Sequence, residues 1–497
     1  MKQPFMTYGG LVASEHYLAS TAASEILRDG GNAVDSAVVT SLSLSVMLPH
    51  LGGLGGDFFA LVKRGHEVHF IDGSGPAPLE LSREELLKRG YGEMPSRGPL
   101  SITVPGYLDA LHLMWRKYGR LDWRDLVLRV VRIAEEGFPV SRSLSNALKA
   151  NAEFLAEDPG SASTYLPASE VGDRKRFRGL ASALKRIAED PRDFYEGDIA
   201  LSIADYVRRR GGFLSLEDLS SYRAQEGEPL RAEVWGFNAY EMPPPTQGAT
   251  TLHMLMLTEE LDPPWSWGRI AEMIAISRRA YAVRDEYITD PKHMRISYGE
   301  LLNPSILKGA NWSGRFGEGD TTFFITADPY GNIVAGIQSV FTAFGSGLTE
   351  PKYQVTLNCR ASSFSLDEEH VNRLEPGKRT LHTLSALLLE RNSDWYVIGT
   401  SGGHFRPQLH WWITTNLLKY GMGYQEALDF PRAHVDLASN TLIAEEGLEV
   451  REEGLRAIIQ KYPSRLGVAA LAHFRKDGLK IGYVDIRGDG ICSGTLY

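Results

Sequence analysis

The spacing of apolar residues predicts helices through most of the first 320 residues. In LASTAASEILRDGGN, apolar positions recur at helical spacing and stop before Gly30 and Gly31, a typical helix end. A second helix is predicted from Ala33 to Val46. The same periodicity predicts helices at SLSNALKANAEFLAED, FRGLASALKRIAED, IALSIADYVRRRGG, LHMLMLTEELD and GRIAEMIAISRRAYAVRDEYI. We therefore expect a helix-rich part with few strands.

The pattern changes at Thr321, after the loop-like segment 301–320. TTFFITADPYGNIVAGIQSVF is rich in β-branched and aromatic residues around the turn DPYGN, which predicts a β-hairpin. Further strands are predicted at LSALLLE, DWYVIGT, TLIAEE and LKIGYVDI, with a helix at PQLHWWITTNLLKYG. The pattern by itself indicates a mixed α/β protein with a functional boundary at this loop.

Composition narrows the class of protein. A chain of 497 residues, 43% of them hydrophobic, can bury a large core. A net charge of −9 without a basic block argues against nucleic acid as a partner. We see no export signal and no apolar run long enough for a membrane span, so we expect a cytoplasmic protein that does not bind a membrane. Cys359 and Cys492 cannot form a disulfide framework, and no metal-ligand spacing is present, so we expect no metal and no cofactor.

Two glycine-rich motifs are candidates for a functional site. Gly399–Gly403 fits the G-x-S-x-G pattern of a serine hydrolase, with Ser401 as nucleophile and Asp429 and His434 as formal partners. No HGGG-type segment precedes it. Gly52–Gly56 lacks the Lys and Ser/Thr of a P-loop, and it is better explained as a tight packing turn.

A third arrangement is the glycine-rich loop that ends at Asp320 and is followed at once by Thr321 and a strand. This is what an amino-terminal nucleophile hydrolase needs: the Thr321 hydroxyl attacks the Asp320 carbonyl, the resulting ester hydrolyses, and the freed α-amino group serves as base. The alternative is that Thr321 merely begins a hairpin. The pattern alone favours this simpler interpretation.

Collinear motifs give the chain a resemblance to the γ-glutamyltransferase (γ-glutamyltranspeptidase) family. They are EILRDGGNAVDSAVVTSLSLSVMLPHLGGLGGDFF, MPPPTQGAT, YAVRDEYITDP, GDTTFFITADPYGNIVAGIQSVFTAFGSG, GKRTLHTLS and GTSGGHF. The resemblance implies a four-layer αββα sandwich of the α/β (α+β) class. It also implies self-cleavage between Asp320 and Thr321 into subunits 1–320 and 321–497, which interleave in one fold as a heterodimer and can pair into a dimer of heterodimers.

The resemblance carries roles to particular residues. Thr321 matches the nucleophile, and Ser339 matches an assisting hydroxyl residue that is usually Thr. Gly402 and Gly403 match the pair whose backbone amides hold the oxyanion. That match explains why the stretch imitates a serine elbow, and it leaves Ser401 as a loop residue.

The donor-binding pocket departs from the family pattern. Ser74 stands where the family has an Arg for the donor α-carboxylate, and Ser363 where it has an acid for the α-amino group. Other aligned positions hold Phe341 for Asn, Arg360 for Gln, and His382 and Thr383 for a serine pair. The short span 363–378 indicates that a lid loop is absent. Without charged partners an unmodified γ-glutamyl group should bind poorly.

The leading functional hypothesis is therefore a self-processing threonine-nucleophile enzyme. It would hydrolyse or transfer a γ-glutamyl (glutathione-type) or related acyl group from a small-molecule amide through an acyl-enzyme. A glutaryl- or cephalosporin-type acylase of the same family is the nearest alternative. The others are a serine hydrolase that uses Ser401 and an unprocessed, non-catalytic binding relative.

Overall fold

The structure is a computed structural model, which describes residues 3–310, 312 and 319–496. The strands are β1 (Phe5–Thr7), β2 (Leu11–Ser14), β3 (Asp57–Arg64), β4 (Glu67–Gly73), β5 (Phe138–Pro139), β6 (Arg174–Lys175), β7 (Gln225–Gly227), β8 (Leu230–Val234), β9 (Phe237–Glu241), β10 (Asp320–Ala327), β11 (Ile333–Phe341), β12 (Thr349–Glu350), β13 (Val355–Thr356), β14 (Leu387–Arg391), β15 (Asp394–Thr400), β16 (Ala433–Asp436), β17 (Thr441–Glu445), β18 (Arg456–Gln460), β19 (Ala469–Phe474), β20 (Lys480–Val484) and β21 (Ile491–Gly494).

The α-helices are α1 (Tyr17–Arg28), α2 (Ala33–Met47), α3 (Arg83–Lys88), α4 (Tyr107–Tyr118), α5 (Trp123–Glu136), α6 (Arg142–Ala150), α7 (Ala152–Ala156), α8 (Pro159–Tyr165), α9 (Arg178–Glu189), α10 (Asp193–Glu196), α11 (Asp198–Arg209), α12 (Leu216–Ser221), α13 (Gly248–Leu257), α14 (Trp267–Tyr287), α15 (Tyr298–Leu301), α16 (Arg406–Leu418) and α17 (Tyr424–Asp429). Short 3-10 turns include Pro304–Leu307, Arg360–Ser363 and Gly403–Phe405.

Two antiparallel seven-stranded sheets form the centre of the fold. The first sheet has the order β1-β20-β19-β15-β14-β9-β8, and the second has the order β21-β2-β10-β11-β3-β4-β7. Their inner faces bury an apolar core that includes Phe59, Ile325, Ile337, Leu388 and Val397. Both sheets contain strands from before and after residue 320, so neither part of the chain completes a sheet without the other.

Helices cover the two outer faces. α1, α2 and α4 pack on the second sheet around one core, with α5 packed on α2, and α13 and α16 pack on the first sheet around another, with α14 packed on α13. Because each sheet buries side chains on both faces, its strands are largely apolar throughout; in β11 all nine residues are buried and only Gln338 and Ser339 are polar. The predicted αββα sandwich is confirmed.

Several predicted elements are found with small differences. α1 ends at Arg28, before Gly30 with its φ of 88°, and the hairpin of β10 and β11 is present. The single helix predicted over SLSNALKANAEFLAED is wrong: α6 ends before Asn151, whose φ of −113° interrupts the helix, and α7 begins after it. In the predicted loop 301–320, residues 311 and 313–318 lie outside the described residues.

Candidate active site

Two hydroxyl groups point at the carbonyl oxygen of Asp320, where β10 begins. Thr321 Oγ1 and Ser339 Oγ each donate a hydrogen bond to that oxygen, both at 2.6 Å. The Thr321 N–H donates to Oδ1 of Asp320 at 2.9 Å. Hydrogen bonds to a carbonyl oxygen stabilise the negative charge that develops there when a nucleophile attacks. The Thr321 hydroxyl is thus held beside an activated peptide carbonyl.

The backbone at Thr321 departs from the regular ladder. β10 and β11 pair Asp320 with Phe341 and Thr322 with Gln338, and the register shifts between these two pairs. An irregularity of this kind re-aims one side chain and ends regular pairing. Thr321 is fully buried there, so the folded chain shields the hydroxyl and its target from bulk water.

Ser339 is placed by its neighbours on β11 and β3. Its Oγ accepts a hydrogen bond from the Phe341 N–H at 2.7 Å, which leaves its own hydrogen for the Asp320 carbonyl. Gly56 lies so close that a Cβ there would come within 2.4 Å of the Ser339 carbonyl oxygen. The glycine run 52–56 therefore serves close packing, as the sequence indicated, and this packing supports Ser339.

Gly402 and Gly403 lie next to the segment that would be cut. Their φ angles of 128° and 52° are left-handed, and a Cβ on Gly403 would lie 2.8 Å from the carbonyl oxygen of Gly319. Only glycine allows this approach. The Gln247 side chain joins this loop to the predicted substrate stretch, because its Nε2 donates to the carbonyls of Gly403 at 2.8 Å and Thr383 at 2.9 Å.

Gln247 had no role in the sequence interpretation, although the motif MPPPTQGAT contains it. Two arginines near the site were also missed. The buried Arg406 donates from Nε to the Thr400 carbonyl at 2.7 Å. Its charge, together with that of the exposed Arg465, opposes the rise that burial causes in the pKa of Asp320. Arg406 directly follows the motif GTSGGHF, and Arg465 lies in none of the recognised motifs.

Ser401 is not set up as a serine nucleophile. Its Oγ accepts a hydrogen bond from the Val468 N–H at 2.7 Å, which ties the loop to the chain before β19. His434 stacks on the Phe405 ring at 3.9 Å, and neither of its ring nitrogens has a hydrogen-bond partner among the described residues. Asp429 accepts from Gln425 instead, at 2.9 Å. The three side chains do not form a triad.

Ser401→Ala should therefore still undergo self-cleavage and keep amide-cleaving activity within a few fold of wild type. The loss of the hydrogen bond to Val468 should lower the free energy of unfolding by about 1 kcal/mol. Denaturing electrophoresis and a thermal melt measure the two effects. Ser339→Ala is the matched control, and it should slow self-cleavage. An uncut Ser401→Ala chain would instead support the serine-elbow interpretation.

Arg360 is the main charged group of the predicted donor pocket. It is fully buried, its Nε donates to Oδ2 of Asp57 at 3.1 Å, and its guanidinium lies 4.4 Å from the centre of the Phe341 ring. Nη1 and Nη2 have no hydrogen-bond partner in the described part of the chain. Burial raises the pKa of Asp57 to about 6, against the lowering effect of Arg360. Asp57 pairs across the sheet with Ser339, whose hydroxyl donates to the Asp320 carbonyl.

The other predicted donor residues divide into occupied and free groups. Ser74 donates to Asp72 at 2.5 Å, and Asp72 is in turn paired with Arg379 at 3.0 Å. The Ser363 hydroxyl and both ring nitrogens of His382 are buried without a hydrogen-bond partner in the ranges described. Burial, with Arg360 next, lowers the pKa of His382 well below its ordinary value, so its imidazole is neutral. In the predicted donor pocket, Arg360 therefore has two nitrogens without a described partner, and Ser363 and His382 supply neutral polar groups.

Two negative findings apply to residues 3–310, 312 and 319–496. No group of three or more His, Cys, Asp or Glu side chains is arranged to hold a metal ion. None of the helices described combines the length and the apolar character needed to cross a membrane.

The fold is that of an amino-terminal nucleophile hydrolase. The structure is similar over its whole length to cephalosporin acylase from Bacillus halodurans, with a TM-score of 0.93, 30% identity, and coverage of 100% of this chain and 97% of that one. A family model described as gamma-glutamyltranspeptidase matches residues 19–494, and the chain belongs to this family. It is an amide hydrolase and acyltransferase of that family.

Two curated relatives match nearly end to end. The glutathione hydrolase-like YwrD proenzyme of Bacillus subtilis (strain 168) is 34% identical, over 97% of this chain and 98% of the relative. The oxamate amidohydrolase proenzyme of Klebsiella pneumoniae is 31% identical, over 98% of each.

Proposed function

We propose that the chain cleaves its own Asp320–Thr321 bond and then uses Thr321 as the nucleophile of an amide-cleaving, acyl-transferring enzyme. The observation that carries the proposal is the pair of hydroxyls, from Thr321 and Ser339, that donate to the Asp320 carbonyl oxygen at 2.6 Å. The word proenzyme in the names of both curated relatives supports it.

Self-cleavage needs no outside reagent except water. Thr321 Oγ1 bonds to the carbonyl carbon of Asp320, the carbon–nitrogen bond breaks, and the hydroxyl proton ends on the nitrogen of Thr321. Water then hydrolyses the ester, which returns the Thr321 hydroxyl and leaves a carboxylate on Asp320. The new α-amino group has a reference pKa of about 7.7 to 8.0, which suits a base near neutral pH.

In each later turnover the same hydroxyl attacks a substrate amide. The α-amino group of Thr321 accepts the hydroxyl proton, and the backbone amides of Gly402 and Gly403 stabilise the oxyanion. A single donor of this type contributes about two to three orders of magnitude in rate. The amine of the substrate leaves, and water or a second amine takes the acyl group from Thr321.

The acyl group of the donor should end in a carboxylate. Arg360 offers two unpaired donors in a buried site, whereas Ser74, Ser363 and the neutral His382 supply no second charge. A carboxylate matches a guanidinium better than any neutral group does. Glutathione and oxamate, the compounds in the names of the two relatives, both carry one. Donors of the glutaryl type fit this pocket. A γ-glutamyl donor would also bring an ammonium group, and the carboxylate beside Arg360, that of Asp57, is already paired with this arginine.

We further propose that the products of self-cleavage, 1–320 and 321–497, stay together as a heterodimer. The test is denaturing electrophoresis of purified protein with mass spectrometry and amino-terminal sequencing. The expected result is two fragments of 320 and 177 residues, the smaller beginning Thr-Thr-Phe-Phe. One uncut band after long incubation would refute the enzyme proposal and support an unprocessed binding relative.

A further inference from the structure

Glu15 is a buried carboxyl close to the cleavage site that the mechanism above does not use. It follows β2 directly, and because Ser14 pairs with Phe324, Glu15 lies opposite Phe323 on β10. Only 6% of the residue is exposed. Its side chain lines a small cavity between the two sheets, together with Phe323 and Val468. This position is two residues along β10 from Thr321.

The groups around Glu15 leave its carboxyl without a full partner. Arg465 Nη2 is 3.8 Å from Oε1, too far for a hydrogen bond, and Oε1 has no hydrogen-bond partner among the described residues. Asp320 and Asp489 are the acidic neighbours, and Asp485 lines the same cavity. Burial, opposed by Arg465 and reinforced by Asp320, raises the pKa of Glu15 to about 8. In the uncut chain the carboxyl is therefore mostly neutral at pH 7.

Cleavage changes the electrostatics next to this carboxyl. Before cleavage the Thr321 nitrogen is a peptide N–H that donates to Asp320 Oδ1 at 2.9 Å. After cleavage the Thr321 nitrogen is a basic amine, which in its protonated form has two more hydrogens that need acceptors. Asp320 is then the last residue of the other fragment. The aromatic ring of Phe341 offers this amine no conventional acceptor. An orphaned, buried carboxyl oxygen is the acceptor that such an amine needs.

We propose, on the basis of the function proposed above, that Glu15 is the positioning residue for the amino group that cleavage creates on Thr321. A proton passes from the Glu15 carboxyl to the amine: the O–H bond breaks, an N–H bond forms, and a carboxylate–ammonium pair results. The pair orients the amine toward the Thr321 hydroxyl. During turnover the amine must be neutral to act as base, so it gives up this proton as the pH rises.

The sign of the pH effect follows from the charges. A carboxylate beside an ammonium favours the charged form and raises the pKa of the amine. Activity should therefore rise as the pH passes the pKa of the Thr321 amine, and Glu15 keeps this pKa high. Glu15→Gln removes the charge and keeps an acceptor oxygen, so the rising limb of kcat/KM should move to lower pH, by about one unit or more.

The experiment measures kcat and KM from pH 5 to 10 for fully cleaved wild type, Glu15→Gln and Glu15→Asp with one chromogenic acyl anilide. The displacement of the limb should be large for Glu15→Gln and small for Glu15→Asp, which keeps the charge, while KM stays within about twofold. Glu350→Gln is the matched control. Glu350 is also a buried carboxylate, 2% exposed, but it lies in β12 and accepts from Ser202 at 2.7 Å.

An unchanged limb in Glu15→Gln, with wild type cleaved and active, would overturn this inference and leave the proposed function intact. A wild type that stays uncut would refute the proposed function itself. A folded but uncut Glu15→Gln chain would also overturn the inference, because it would place the role of Glu15 in cleavage. If Glu15→Gln does not fold, the test is the pH profile of Glu15→Asp. The shorter side chain holds its carboxylate farther from the amine, so the rising limb of kcat/KM should still move slightly to lower pH. An unchanged limb would contradict the pairing.

Discussion

The Thr321→Ala variant should remain one chain of 497 residues and should have no measurable amide-cleaving activity. The substitution removes the hydroxyl that lies beside the Asp320 carbonyl and that, in the proposed mechanism, carries the acyl group. Ser339 also donates to this carbonyl, but in the proposed mechanism its hydroxyl stabilises charge and forms no bond to carbon. Intact-mass spectrometry after days of incubation measures the first effect, and an anilide assay the second.

Thr322→Ala is the matched control for this variant. Thr322 is the next residue, it is equally buried, and its hydroxyl has no hydrogen-bond partner in the described ranges. The control should cleave at the wild-type rate. Thr321→Ser should also cleave, because it keeps the hydroxyl. Fragments of 320 and 177 residues from Thr321→Ala would show that another group performs the cleavage.

The second large effect concerns Arg360 and the charge of the donor. Arg360→Gln should lower kcat/KM for a glutaryl anilide by about 100-fold or more, because a buried carboxylate loses a charge-assisted partner worth 2 to 5 kcal/mol. The pentanoyl anilide of equal chain length has no carboxylate, and its kcat/KM should change by less than about threefold. The ratio of the two values is the measurement, since it cancels general damage to the site.

The variant also leaves Asp57 without its guanidinium. Burial already raises the pKa of Asp57 to about 6. In Arg360→Gln this carboxyl should therefore become neutral, so that the fold tolerates it without its partner. The double variant Asp57→Asn with Arg360→Gln checks the point, and it should show the same donor ratio. Arg379→Gln is the positional control, because Arg379 is committed to Asp72. Equal losses for both anilides would mean that Arg360 acts on the fold and not on the donor.

Much of the fold could be predicted where local signals are strong. α1 has helical periodicity with a clear end, and β10 and β11 flank a turn of Asp, Pro, Gly and Asn. The expectation of few strands before residue 320 is wrong, because β3, β4, β8 and β9 lie there. The strands β8, β9, β19 and β21 have only four to six residues, which carry little periodicity. The order of layers came from the family resemblance, since neither sheet is continuous in sequence.

The residues of the candidate site could likewise be predicted where a recognised motif contains them. Thr321, Ser339 and the pair Gly402–Gly403 were reached through motifs. The structure places the two hydroxyls at the Asp320 carbonyl and Gly403 beside Gly319. Arg360 was recognised only as a departure from a pattern. Its partner Asp57 is 303 positions away, so no local signal could connect the two. The role proposed for Glu15 depends on a buried oxygen without a partner, which is a property of packing and not of sequence.

Both sheets contain strands from either side of residue 320, which makes the proposed cleavage a one-way step for the molecule. Within the second sheet, β10 begins at the new chain end yet remains paired with β2 of the other fragment, and β21 pairs with β2 from the opposite side. The intact chain finds this arrangement as a single polymer. Once cut, an unfolded molecule becomes two chains that must meet before either can complete a sheet. The persistence of the mature enzyme is then governed by its rate of unfolding, so its lifetime is a kinetic property.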